Sequence, residues 1–104
     1  MAKARALRKR YISFTLRGDT QDSDSLKRSL YAEALRFFGE YGLSEVALKL
    51  VEYSAERKGG IIRCERGKAE TVLGFLALLD SLDGRPARIM AQKTSGTIKG
   101  LGRQ

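Results

Sequence analysis

Apolar and polar residues alternate strictly over residues 11–16, with Ile12, Phe14 and Leu16 on one side and Tyr11, Ser13 and Thr15 on the other. A period of two predicts a half-buried β-strand. The polar stretch 18–25 (GDTQDSDS) predicts a turn and a helix N-cap, after which the period lengthens. Leu26, Leu30, Ala34, Phe37, Phe38 and Tyr41 recur at three- and four-residue spacings, predicting a helix closed by Gly42. Alternation returns over residues 46–53, where Val46, Leu48 and Leu50 oppose Ala47, Lys49, Val51 and Tyr53. The loop 56–60 (ERKGG) predicts a hairpin turn into a third strand over residues 61–66. A second helix is expected from about Lys68 to Leu82, with Val72, Phe75, Leu76, Leu79 and Leu82 on its apolar face and a stop at Asp83-Gly84. Residues 85–94 read as a last strand.

The resulting order is β-α-β-β-α-β. Right-handed crossovers turn that order into an α+β, ferredoxin-like (RRM-like) sandwich: a four-stranded antiparallel sheet with both helices on one face. The first and third strands are then central and the fourth an edge. Pro86, the only proline, falls at the start of the fourth strand, where a missing N–H is tolerated. One domain accommodates all 104 residues. It divides into a basic N-terminal arm (1–10), the sandwich body (11–94) and a basic C-terminal tail (95–104).

Such a sandwich leaves one sheet face without a helix over it. Alternation assigns to that face Tyr11, Ser13 and Thr15, then Ile61, Arg63 and Glu65, then Lys49, Val51 and Tyr53, then Arg88, Met90 and Gln92. RNA-recognition modules of this topology stack bases on aromatics in the two central strands. The third strand here has no aromatic and the first offers only Tyr11, which disfavours that mode. The mixture suits a protein partner, a C-terminal segment folded over it, or plain solvation. Cys64 falls on the helix side as a small buried hydrophobe, and Phe14, Phe37, Phe38 and Phe75 are assigned to packing.

The charge is concentrated at the two ends of the chain. Residues 1–17 hold six cations (Lys3, Arg5, Arg8, Lys9, Arg10, Arg17) and no acid; residues 84–104 hold five more (Arg85, Arg88, Lys93, Lys99, Arg103), again with no acid. The middle of the chain is net −3 within a total of +8. Acid-free basic ends around a near-neutral body are the electrostatic footprint of a polyanion binder, nucleic acid first. One cysteine and no histidine exclude an intrachain disulfide, a Ser-His-Asp or Cys-His nucleophile pair and a His/Cys zinc cluster, and fit a reducing compartment. Asp22 and Asp24 have the spacing of two calcium-loop ligands, but Leu26 stands at the third, so a turn with an N-cap is the reading. The longest apolar run, residues 72–79, is too short to span a bilayer, and the basic N-terminus lacks the apolar segment of a secretory signal.

Two short segments carry more. The tail 94–100 (TSGTIKG) sets two hydroxyls, small residues and Lys99 close enough to meet one phosphate, without the spacing of a P-loop. The segment 60–66 (GIIRCER), followed about thirty residues later by Ser95-Gly-Thr-Ile-Lys99, resembles the archaeal ribonuclease P protein component 2 family, which includes a eukaryotic subunit shared by ribonucleases P and MRP. Lys9-Arg10-Tyr11-Ile12 is similar to the family's opening, and the likeness runs from about Arg8 to Leu101. Some members continue into a longer C-terminal helix.

The resemblance implies a non-catalytic protein subunit of the ribonucleoprotein that removes 5′ leaders from precursor tRNA. The RNA would hold the metal-dependent active site, with Mg²⁺ on the RNA and no cofactor on the protein. Expected partners are ribonuclease P RNA, precursor tRNA and the TIM-barrel-like protein component 3, with a homodimer inside a heterotetramer as one arrangement, no membrane and a cytoplasmic location. Lys3, Arg5, Arg8, Lys9, Arg10, Lys93, Ser95, Thr97, Lys99 and Arg103 are the candidate RNA-contacting residues, and no residue is assigned to catalysis or metal binding. A ribosomal or other structured-RNA protein shares the basic ends and stays open as the alternative. A metabolite-binding regulatory domain and an independent nuclease rank below it.

Overall fold

The computed structural model describes residues 8–19 and 22–102. Its elements are β1 (Lys9–Gly18), α1 (Ser23–Val46), β2 (Lys49–Ser54), β3 (Gly59–Glu65), α2 (Ala69–Leu78), β4 (Ser81–Leu82) and β5 (Arg85–Ser95), with 3₁₀ turns at Arg66–Lys68 and Lys99–Leu101. The strands form one antiparallel sheet in the order β2-β3-β1-β5-β4. Five strands replace the four expected, and the four long ones keep the predicted order with β1 and β3 inside.

The extra strand comes from the end of the second helix. Leu79, the C-cap, already has extended backbone, so α2 stops four residues before Leu82. Asp83 and Gly84 both adopt positive φ (55° and 78°) and turn Ser81–Leu82 back against Arg85–Pro86. That pair of left-handed residues is the demand of a tight two-residue hairpin, which Asp-Gly meets well. Leu79 and Leu82 remain buried, but from a turn and a strand rather than from a helix.

Asp22 caps α1, its Oδ1 accepting from Ser25 N at 2.7 Å, and the same bond holds its carboxyl below the ordinary carboxylate range. Leu26, Leu30 and Ala34 are buried along one stripe. At Gly39 (φ 77°, ψ 170°) the helical backbone is interrupted in a conformation that suits glycine, and helix resumes through Gly42 to Val46. The break resets the phase, which is why Tyr41 is exposed although the spacing placed it on the apolar face. Ala47 ends the helix in the left-handed region and donates its N–H to Leu43 O. The Tyr31 hydroxyl then donates to Leu48 O at 3.0 Å, fixing α1 against the start of β2.

One core lies between the helices and the sheet. Ile12, Phe14 and Leu16 of β1, Leu50, Ile62, Cys64 and Ile89 of the other strands, and Val72, Phe75 and Leu76 of α2 all belong to it. Each buried aliphatic or phenyl side chain contributes roughly 1.5–3 kcal/mol. Cys64 is on the helix side as expected, and burial, with a smaller contribution from Glu65, pushes its thiol up to about 11. Phe14 and Phe75 are buried, Phe38 is partly so, but Phe37 is half exposed and is not simply a packing residue.

Two β-bulges correct the expected faces. In β2 the register passes from Leu50–Ile62 to Glu52–Ile61, so Val51 is the extra residue and Tyr53 turns to the core side, where it stacks on Phe14. Gly60 sits beneath this bulge: a Cβ there would collide with Glu52 O and come 3.1 Å from the Phe14 ring. In β5 the register passes from Ser13–Lys93 to Phe14–Ala91, making Gln92 the extra residue.

Candidate nucleic-acid interface

Directly opposed residues in an antiparallel ladder share a face, so the register defines the helix-free surface. It carries Lys9, Tyr11, Ser13, Thr15 and Arg17 from β1; Arg63 and Glu65 from β3; Lys49 and Glu52 from β2; and Arg88, Met90 and Lys93 from β5. Strict alternation would have sent Lys93 to the helix side. The bulge at Gln92 returns it to the open face, where its backbone N–H donates to Ser13 Oγ at 3.1 Å. Cations outnumber acids on this surface, and of the acids Glu65 also accepts from Gly67 N at 2.7 Å.

The chain's C-terminal part lies over the same face. The turn Lys99–Leu101 lies against β1 and β5. Leu101 and Ile61 are both buried, yet neither belongs to the core beneath the helices. The reading of a C-terminal segment folded over the sheet therefore holds, and it explains how Ile61, on the open face opposite Ser13, is shielded from water. Ser95 Oγ accepts from Thr97 N at 3.3 Å and Thr97 Oγ1 accepts from Gly100 N at 3.0 Å. Gly100 is required here, because a Cβ would overlap Ser95 Oγ. The hydroxyls thus first organise the turn, leaving the Lys99 side chain exposed at its rim.

The candidate residues are distributed unequally. Lys93, Ser95, Thr97 and Lys99 come together in the tail and the adjoining end of β5. Lys9 shares their sheet face, opposite Glu65, whereas Arg10 is opposite Cys64 and points to the helix side. Arg8 is exposed and its carbonyl accepts from Arg66 N, and Lys9 and Arg10 are the first residues of β1. Lys3, Arg5 and Arg103 lie outside the described residues. The sequence reading did not single out Arg17, Arg63 and Arg88 as contacts; only the cross-strand register gathers them.

The opposite surface differs in kind. Phe37, Phe38 and Phe75 form a cluster with ring centroids 4.9–5.3 Å apart. Phe37 (49% exposed) and Leu78 (70% exposed) line a groove with Glu33, Arg36, Leu79 and Asp80. Two large apolar side chains thus meet solvent beside this groove. Among the described residues there is no cluster of three His, Cys, Asp or Glu side chains able to hold a metal, and no helix long and apolar enough to cross a membrane.

A cationic sheet face edged by residues 95–102, with a few exposed apolar side chains on the helix side, suits a small binding domain. Residues 10–104 match the model of the Rpp14/Pop5 family, and the chain belongs to that family. It is 34% identical over 98 residues to ribonuclease P protein component 2 of Pyrococcus furiosus, an alignment covering 93% of this chain and 82% of that one. The protein of the same name from Archaeoglobus fulgidus is 36% identical over 93 residues, covering 88% and 83%. In fold the chain is similar to one in the cryo-EM structure of yeast ribonuclease MRP, with a TM-score of 0.70 at 16% identity over 86% of this chain and 75% of that chain.

Proposed function

We propose that this chain is a protein subunit of ribonuclease P that binds and stabilises the catalytic domain of the RNA subunit, which removes 5′ leaders from precursor tRNA. Membership of the Rpp14/Pop5 family over residues 10–104 is the observation that carries the reading. The cationic sheet face and tail supply the means. Where RNA helices are forced together their phosphates repel, and Lys9, Lys93 and Lys99 with Ser95 and Thr97 neutralise and hydrogen-bond phosphate oxygens there. Lys3, Arg5, Arg8, Arg10 and Arg103 add to the positive charge of the two chain ends, Arg10 from the helix side. Less repulsion means a folded RNA at lower Mg²⁺ concentration, and the Mg²⁺ that does chemistry belongs to the RNA.

The helix-side groove around Phe37 and Leu78 suits the second protein, the TIM-barrel-like component 3, and leaves the sheet free for RNA. A tetramer containing two copies of each protein, acting in the cytoplasm, completes the reading. Hydroxyl-radical footprinting tests it. Protection of ribonuclease P RNA, with no comparable protection of ribosomal RNA, is expected; the reverse pattern supports a ribosomal or other structured-RNA protein. Precursor tRNA cut by the protein without RNA would overturn the non-catalytic role.

A further inference from the structure

Arg17 and Arg88 are directly opposite one another in the β1–β5 ladder. Their side chains share the open face, with Cβ atoms on the order of 5 Å apart. Like charges so placed repel, screened only by solvent, since both side chains are exposed. Among the described residues neither side chain has an ion pair or a hydrogen bond. The nearest acid in sequence, Asp19, is engaged by Arg85 at 3.2 Å. The surroundings add positive charge: Lys58, whose Nζ donates to Gly18 O at 2.7 Å, stands at the same end of β1. A groove between α2 and β5, lined by Leu73, Leu76, Ala77, Ile89, Met90 and Ala91, reaches both arginines from the helix side.

We propose that Arg17 and Arg88 form a clamp for a single backbone phosphate of RNA, distinct from the basic tail. This rests on the RNA-binding reading above. Two planar guanidiniums on adjacent strands can each direct paired N–H donors at the same phosphodiester, one to each non-bridging oxygen. The anion removes the repulsion the empty pair suffers, so the geometry favours the bound state. Because the contact is to phosphate, it fixes orientation on the RNA without reading sequence.

The test is binding of the full chain to ribonuclease P RNA from its source organism, measured as affinity against salt for wild type, Arg17→Gln, Arg88→Gln, the double variant and the control Lys27→Gln. A shared phosphate predicts that either single substitution weakens binding about 10-fold, that the double is scarcely worse, and that the slope of log K against log salt falls by roughly 0.7–0.9, the share of one phosphate. Lys27→Gln, exposed on α1 on the opposite side of the sheet, changes little. Unchanged affinity in the double variant, with wild type still binding, overturns the clamp alone; no salt-dependent binding by wild type overturns the RNA reading with it. Two independent, additive losses would assign the arginines to separate phosphates and also overturn the clamp. Thermal melting in phosphate-free buffer is the RNA-independent arm. Arg88→Gln should melt at the same temperature or higher, and a fall of several degrees would make the pair structural. Tight binding of inorganic pyrophosphate with unchanged RNA affinity in the variants would assign the site to a free phosphate instead.

Discussion

The two broad surfaces of this small domain are built from the same strands and helices but obey opposite rules. The helix face leaves apolar groups in water: Phe37 and Leu78 stand exposed beside a groove. The sheet face keeps its one fully buried aliphatic residue, Ile61, shielded and displays lysine and arginine. An apolar surface binds through area removed from water, which salt barely affects, whereas a cationic surface binds through counterion release, which salt abolishes. On the proposed function, RNA on the sheet and a protein on the helices would not compete for one site.

Substitutions that separate the faces should therefore separate the two binding activities. Cys64 lies in the layer between them and provides the control for integrity. With its thiol raised to about 11 from an ordinary 9.0, the reactive thiolate at pH 8 is about 100-fold scarcer than in the unfolded chain, so a thiol reagent should label it only on denaturation. The sign follows for stability as well. Between pH 9 and 11 the unfolded thiol ionises while the folded one stays protonated, so stability falls as pH rises through that window. Rapid labelling of the native protein would contradict the packing.

Next in size, Phe37→Asp combined with Leu78→Asp should weaken binding to protein component 3 by about 30-fold or more while RNA affinity stays within about twofold. Equal loss of both would deny the division of labour. Gly60→Ala should act on neither face selectively. The added methyl has nowhere to go beneath the bulge, and the cost of about 1–3 kcal/mol lowers the melting temperature by roughly 4–20 °C, read by calorimetry. The smallest change expected is Tyr53→Phe. Tyr53 Oη is buried with no hydrogen-bond partner among the described residues, so its removal should leave stability unchanged or raise it by up to about 1 kcal/mol. A clear loss of stability would mean the hydroxyl has a partner.

Much of this architecture was legible in the chain. The period-two pattern of Ile12, Phe14 and Leu16 and the capped stripe of Leu26, Leu30 and Ala34 translate directly into β1 and α1, because periodicity reports which side faces the core. What escaped were local backbone events that break a period. Gly39 interrupts a helix that its neighbours continue, and Asp83-Gly84 reads as a helix stop as readily as a hairpin turn. The bulges at Val51 and Gln92 each invert the faces beyond them, moving Tyr53 into the core and Lys93 onto the open sheet. The RNA-contact candidates suffered accordingly. A tail motif such as Ser95-Gly-Thr-Ile-Lys99 is contiguous and visible, whereas Arg17 and Arg88 are seventy-one residues apart and meet only through strand register.

The most direct measurement is the affinity of the intact chain for ribonuclease P RNA across a range of salt concentration, set beside its affinity for protein component 3 under the same conditions. If about five cations of the sheet face and the basic ends meet phosphates, log K for RNA should fall against log salt with a slope of roughly −3.5 to −4.5 while partner binding stays nearly flat. An RNA slope near zero would contradict the electrostatic role of the sheet face and tail.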